Sequence, residues 1–385
     1  MNNFIYHNPT KIVFGKGQIK KLHDLVPAMY PVMLTYGFGS IKNNGVYDQV
    51  KKALYGHQLI EFGGIEPNPT YETLMKAITL IKENNIAYLV SVGGGSVLDG
   101  TKFIAAAAKF DGADPWDIVA KKTPIKEAIP LGCVLTLPAT GSESNCYAVI
   151  SRKETQEKKD FGSSLVYPQF AVLDPLTTFS LSQKQLVNGV VDSFVHVVEQ
   201  YLTYDCKALL QDRQAEAILQ TLAEKAQSII NDEPEYETRA TFMWCATQAL
   251  NGLIGCGVPQ DWSTHMIGHE LTAYYGIDHA QSLAVILPRV LESQIETKKD
   301  KLAQYAQRVW QLPTEDVLSL AQKAITKTET FFRDLGMKTT LSEYCIDPQE
   351  ASQKIFERFT KASTILGEQG SMTPACVRDI VIKSA

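Results

Sequence analysis

Residues 87–109 read AYLVSVGGGSVLDGTKFIAAAAK. Ala87–Val92 is a short, continuous apolar run, the pattern of a strand buried on both faces of a sheet. It leads straight into Gly93-Gly94-Gly95-Ser96, and Thr101–Lys109 then reads as a strong helix. Strand, glycine turn and helix start together make an anion cradle. Glycine lets the backbone approach a phosphate, and the first helical N–H groups point at it. Ser96 adds a hydroxyl. The turn is neither G-x-G-x-x-G nor a Walker loop, so neither template is imposed on it.

The same alternation extends to both sides. Pro31–Tyr36, Gln58–Phe62, Gly132–Leu137 and Phe170–Leu173 read as further buried strands, and Val46–Tyr55 and Tyr71–Asn84 as helices between them. Strands alternating with helices predict a parallel sheet covered on both faces. After Asp174-Pro175 the pattern changes. Stretches 181–203, 208–231, 239–253, 264–275, 291–310, 315–335 and 349–367 carry helical periodicity, and no strand is evident among them. The expected fold is an α/β Rossmann-like N-terminal domain over residues 1–178 and an all-α domain over 179–385. No low-complexity linker joins them, which predicts a fixed cleft where ligands bind.

Two other turns bear on a nucleotide. Tyr36-Gly37-Phe38-Gly39-Ser40 closes the strand Pro31–Tyr36. Dinucleotide folds place an acid near such a strand end to hold the adenosine ribose. None stands in this turn, whereas Ser40 and Lys42 suit a 2′-phosphate, so the reading favours NADPH over NADH. The run Thr136–Asn145 (TLPATGSESN) also follows a strand and offers hydroxyls to a pyrophosphate or a nicotinamide ribose.

The bulk properties exclude several classes. A formal net charge of -5 and the lack of a basic stripe argue against a nucleic-acid partner. Seven scattered cysteines without a C-x-x-C pair read as reduced thiols, not as a disulfide framework. No apolar run is long enough to span a membrane, and MNNFIYHNPTKIVFGKG lacks the features of a secretion signal, so the expected location is the cytoplasm.

Histidine is scarce, with seven in the chain, and three of them crowd WSTHMIGHELTAYYGIDHAQ at 262–281: His265, His269 and His279. His265 and His269 share a helical face, and Gly276 is a natural helix end. A second stretch, LVNGVVDSFVHVVEQYL at 186–202, is apolar nearly all round and therefore buried, with one polar arc of Asn188, Asp192, His196 and Glu199. A buried carboxylate beside imidazoles needs a proton, an ion pair or a metal. One carboxylate and three or four imidazoles suit Zn²⁺ or Fe²⁺. Spacing leaves open which of His265 and His269 is the ligand.

GGGSVLDGTK at 93–102, TLPATGSESN at 136–145, NGVVDSFVHVVEQY at 188–201 and the histidine stretch resemble the iron-dependent (group III) alcohol dehydrogenases. EFGGIEPNPTYETL at 61–74, NGLIGCGVPQDW at 251–262 and DHAQSLAVILP at 278–288 look like the NADPH-dependent aldehyde reductase and butanol dehydrogenase branch. Phe38 stands where that branch has glycine.

The resemblance implies a dehydroquinate synthase-like fold and a metal held by Asp192, His196, His265 and His279. His269 is then the histidine beside substrate and nicotinamide, counted with Asp99 as catalytic. Cofactor contacts carry over to Gly37, Gly39, Ser40, Asn68, Gly94, Gly95, Ser96, Asp99, Thr136, Thr140 and Lys158, with Lys158 or Lys159 near the 2′-phosphate. The implied reaction is reversible hydride transfer between NADP(H) and small aldehydes or alcohols such as butanal and butanol, by a homodimer with one Fe²⁺ or Zn²⁺ per chain. Within the fold, the alternative is a glycerol- or diol-dehydrogenase-like enzyme. A metal-dependent hydrolase would leave the glycine turn without a role, and a non-catalytic nucleotide-binding protein would leave the histidines without one.

Overall fold

The computed structural model describes residues 1–231 and 233–385. Six parallel strands form one sheet: β1 (Lys11–Phe14), β2 (Val32–Tyr36), β3 (Leu59–Phe62), β4 (Tyr88–Gly94), β5 (Leu131–Leu137) and, after a hairpin, β8 (Phe170–Leu173). Their order is β1-β8-β5-β4-β2-β3. The hairpin is a separate antiparallel pair, β6 (Tyr147–Arg152) and β7 (Glu157–Gly162).

Side-chain alternation shows that both faces of the sheet are covered. Met33, Leu89, Leu131, Cys133, Leu135, Ala171 and Leu173 point into one apolar cluster. Their neighbours Val32, Leu34, Tyr88, Val90, Val92, Val134, Phe170 and Val172 point into the other. Each Val, Leu, Met or Phe among them contributes about 1.5–3 kcal/mol by leaving water, so the continuous apolar runs are explained by burial on both sides rather than by strand propensity.

The chain divides into two compact units: His7–Ser182 with Asp232–Thr247, and Met1–Tyr6 with Gln183–Asn231 and Gln248–Ala385. In the first, most of the helix Tyr236–Ala249 belongs with the sheet. Met243 joins the apolar cluster on one sheet face, and Trp244 meets Phe14 edge to face. The helix Gly95–Ala107 is buried along almost its whole length. It is tied to β2 by a Thr35–Thr101 hydroxyl pair at 2.6 Å. Fully buried Lys102 donates to Asn145 O (2.9 Å), Asn145 Oδ1 (3.1 Å) and Tyr147 O (2.7 Å), using all three ammonium protons. Burial pushes this lysine down to about 8.

The second unit is helical. Its central helix, Gln183–Tyr201, is buried without interruption from Gly189 to Tyr201, as its all-round apolar pattern predicts. Ser263–Tyr275 ends at Gly276, which adopts the left-handed conformation (φ 69°). The sequence reading leaves out strand β1 and both strands of the hairpin. The C-terminal helix Pro374–Lys383 was not expected. The single helix expected over 291–310 is two, His279–Ser293 and Ile295–Arg308, the first continuing through Pro288. Among the described residues no helix is long and apolar enough to cross a membrane.

Candidate metal centre and dinucleotide turn

Three helices of the second unit bring Asp192, His265 and His279 together, with His196 beside Asp192 and His265. Gln183–Tyr201 carries Asp192 and His196 on one face, Ser263–Tyr275 carries His265 and His269, and His279 is the first residue of His279–Ser293. That last helix starts with a capping box, in which Asp278 and Gln281 satisfy each other's backbone. Asn188 Nδ2 and Lys184 Nζ donate to Asp278 Oδ2 at 3.1 and 2.8 Å, anchoring the cap to the Asp192 helix.

Asp192 Oδ1 is the hub. It lies 3.6 Å from His279 Nε2, 3.8 Å from His196 Nδ1 and 3.9 Å from His265 Nε2. Asp192, His265 and His279 each offer a ligand atom within 4.8 Å of the others. The rings of His196 and His265 stack at 4.5 Å. These separations are too long for hydrogen bonds, yet donors around a tetrahedral ion at about 2.1 Å stand about 3.4 Å apart. His196 Nδ1 and His265 Nε2 are buried atoms with no hydrogen-bond partner. Two such ring nitrogens beside a buried carboxylate fit a divalent cation. His269 is buried next to the set, its ring 5.2 Å from that of His279 and 6.3 Å from that of His265.

The imidazoles differ in charge. Burial pushes His196 down to about 4, so it is neutral. Burial also opposes charge on His265, but the Glu199 carboxylate overrides it and, with Asp192, raises His265 to about 9. Glu199 accepts a hydrogen bond from His265 Nδ1. Sequence reasoning placed Glu199 on the polar arc and gave it no task. Its position seven residues beyond Asp192, on the same helical face, was the available signal.

The first unit assembles most of the predicted cofactor residues around the start of Gly95–Ala107. Strand β4 passes into this helix with no intervening loop. None of Gly93, Gly94 and Gly95 has a positive φ, so chain reversal is not what requires them. Close approach is: a Cβ on Gly95 would lie 2.3 Å from Thr140 Oγ1, and one on Gly93 would lie 2.6 Å from a Val97 methyl. The Thr136–Asn145 loop therefore packs directly on the turn. Asn68, at φ 55°, donates its N–H to Ser96 Oγ at 3.3 Å. Gly37 lies against Ile65 and Val97.

Asp99 has both oxygens engaged, accepting from Ser142 Oγ at 2.6 Å and from Val149 N–H at 2.9 Å. Burial raises its pKa, while the charges of Lys102 and Lys158 lower it. Lys158, buried in β7, thus keeps company with Asp99. Lys42 lies in the short helix that follows Gly39, and it and Lys51 both approach Glu61.

An acid does stand near that turn, contrary to the reading of the turn alone. Glu61 sits on β3, paired in register with Leu34 of β2. Its carboxylate accepts from Tyr47 Oη (2.6 Å), Tyr36 Oη (3.1 Å) and Lys51 Nζ (3.1 Å), and Lys42 Nζ lies 3.9 Å away. Burial disfavours its charge, but these hydrogen bonds hold its pKa below the usual carboxylate range. The acid is neutralised by two lysines and capped by two phenols.

A family model described as iron-containing alcohol dehydrogenase matches residues 9–175, and the family's C-terminal model matches residues 186–383. The chain is 53% identical over 375 residues to the NADPH-dependent aldehyde reductase YqhD of Escherichia coli (strain K12), covering 97% of each chain. A crystal structure of YqhD superposes with a TM-score of 0.98 at 51% identity, covering 100% of this chain and 99% of that one. The chain is 43% identical to the probable NADH-dependent butanol dehydrogenase 1 of Bacillus subtilis (strain 168), over 91% of this chain and 92% of that one.

Proposed function

The chain belongs to the iron-containing alcohol dehydrogenase family and is an oxidoreductase; from that premise we propose that it is an NADP(H)-linked aldehyde reductase interconverting small aliphatic aldehydes, such as butanal, with their alcohols. The observation that carries this reading is the convergence of Asp192 with three imidazole nitrogens at 3.6–3.9 Å.

In this proposal Asp192, His196, His265 and His279 hold one divalent ion. Fe²⁺ and Zn²⁺ both suit such ligands, so availability decides occupancy. Bound there, the ion lends Lewis acidity to the substrate oxygen while the nicotinamide provides the hydride. In the same reading His269, whose ring lies 5.2 Å from that of His279, would hold the proton that the product oxygen needs. Gly94, Gly95 and Ser96 present backbone and hydroxyl donors to the pyrophosphate, and Thr136, Thr140 and Asn68 complete that lining. Asp99, with the charge of Lys158 acting on it, belongs to the same cofactor lining, and Lys158 or Lys159 is a 2′-phosphate contact. Gly37, Gly39 and Ser40 receive the adenosine ribose, with Lys42 facing a 2′-phosphate. The neutralised Glu61 supports NADP(H), since a free carboxylate there would repel that phosphate. We assign cofactor binding to residues 1–178 and metal binding to 179–385.

A cytoplasmic homodimer belongs to the same proposal. It is supported by the family resemblance and by seven free cysteines, the state expected of a reducing compartment. Light scattering reads the dimer directly. The activity is tested by following NADPH absorbance with a panel of small aldehydes. Consumption that depends on both aldehyde and enzyme is expected, and no change with any aldehyde refutes the reading. Glycerol or 1,2-diols outpacing the alcohols in the reverse direction would favour a diol dehydrogenase.

A further inference from the structure

Behind His265 lies a second set of buried charges. The side chain of Glu199 is 4% exposed. Its Oε2 accepts from His265 Nδ1, and its Oε1 accepts from the N–H groups of Thr264 (2.6 Å) and His265 (3.4 Å). One carboxylate thus grips both the ring and the first turn of the helix that carries it. With Nδ1 occupied, Nε2 is the ring nitrogen left toward Asp192.

Glu199 is itself held. Its carbonyl accepts from Asp261 N–H at 2.8 Å. Asp261 Oδ1 accepts from Ser263 N–H at 3.0 Å, and Oδ2 meets Lys298 Nζ at 2.7 Å. Lys298 Nζ also lies 3.2 Å from Glu368 Oε2. The three side chains are 4–6% exposed. Such a buried cluster is weak evidence of stability, because desolvation offsets most of the attraction. What it does supply is geometry: it pins residues 261–264, where the helix Ser263–Tyr275 begins, to the carbonyl of Glu199.

Resting on the reading of His265 as a metal ligand, we propose that Glu199 is a positioning residue that fixes the tautomer and aim of His265, and that the Asp261–Lys298–Glu368 cluster holds it there. Partners of this kind typically govern metal affinity by about 10–100-fold.

The test compares the parent with Glu199→Gln, Glu199→Asp and Lys298→Met as full chains loaded with Zn²⁺ or Co²⁺. Release of zinc to a chelator, the visible absorption of the cobalt form and melting of the metal-free protein are read together. Glu199→Gln is expected to release zinc about 10–100-fold faster and to shift the cobalt bands, with the metal-free melting point little changed. Glu199→Asp should recover part of the retention, and Lys298→Met should move both metal readouts the same way by less. A merely structural role would lower melting and leave release from the folded protein alone. If Glu199→Gln does not fold, Lys298→Met and Glu199→Asp decide. Parent-like release and cobalt spectra in every folded variant overturn the proposal. A parent that holds no stoichiometric metal refutes instead the functional reading on which it rests.

Discussion

Asp192 Oδ1 and His279 Nε2 face each other at 3.6 Å, one from the middle of a buried helix and the other from the first residue of a different helix. The same oxygen is within 4 Å of nitrogens on His196 and His265. One carboxylate oxygen therefore gathers imidazole nitrogens from three helices. Removing it takes away the hub and leaves the surrounding apolar packing in place.

Asp192→Asn keeps the shape and removes the charge. We predict at least about a 100-fold loss of metal affinity, more than changes outside the ligand set usually cost. The metal-free protein should melt close to the parent, because asparagine keeps the shape of the side chain within the surrounding packing. Elemental analysis after dialysis and a melting curve check both statements. Stoichiometric metal in the variant would contradict the ligand assignment.

Gly95→Ala places a methyl 2.3 Å from Thr140 Oγ1. Either the Thr136–Asn145 loop or the helix start must shift, at a cost of about 1–3 kcal/mol. NADPH binding, followed by its fluorescence, should weaken by about tenfold or more, since loop and turn would no longer form one cradle. Metal content should match the parent, because Gly95 and the ligands lie in different units.

The pH dependence of metal uptake follows from His265. In the metal-free protein its pKa is raised to about 9, with Glu199 outweighing burial, so its Nε2 carries a proton at neutral pH. A metal must displace that proton. Apparent affinity should climb about tenfold per pH unit up to about pH 9 and then flatten. His196, pushed down to about 4, is already neutral and adds no slope above that value. Competition with a chelator of known pH behaviour measures the curve, and an affinity flat between about pH 6 and 8 would contradict it.

Lys42 and Lys51 bear on cofactor choice. Replacing both with alanine leaves Glu61 without its cationic partners. Hydrogen bonds to charged groups are worth about 1.5–3 kcal/mol, so KM for NADPH should rise about tenfold or more while KM for NADH stays within about twofold. Equal changes for the two cofactors would remove this cluster from 2′-phosphate recognition.

The sheet was readable because its strands are buried on both faces: runs such as AYLVSV have no other economical explanation. The cluster of Asp192 with the histidines was readable because histidine is scarce and the helix around Asp192 has a single polar arc. What escaped depends on contacts across the chain. Glu61 comes beside the Gly37–Ser40 turn only through the β2–β3 register, which no local pattern encodes. Strand β7, EKKDFG, has the composition of a loop and is held by pairing with β6. Pro288 masks the helix that begins at His279, although that helix accommodates it. Glu199 lay in view on the arc, but its grip on His265 required the fold.

The most direct test of the account is to strip the protein with a chelator, confirm by elemental analysis that metal is gone, and follow NADPH absorbance with butanal before and after restoring Fe²⁺ or Zn²⁺. The account predicts one metal per chain in the parent, loss of turnover with the metal, and recovery when either ion returns. Undiminished NADPH consumption by protein shown to be metal-free would contradict it.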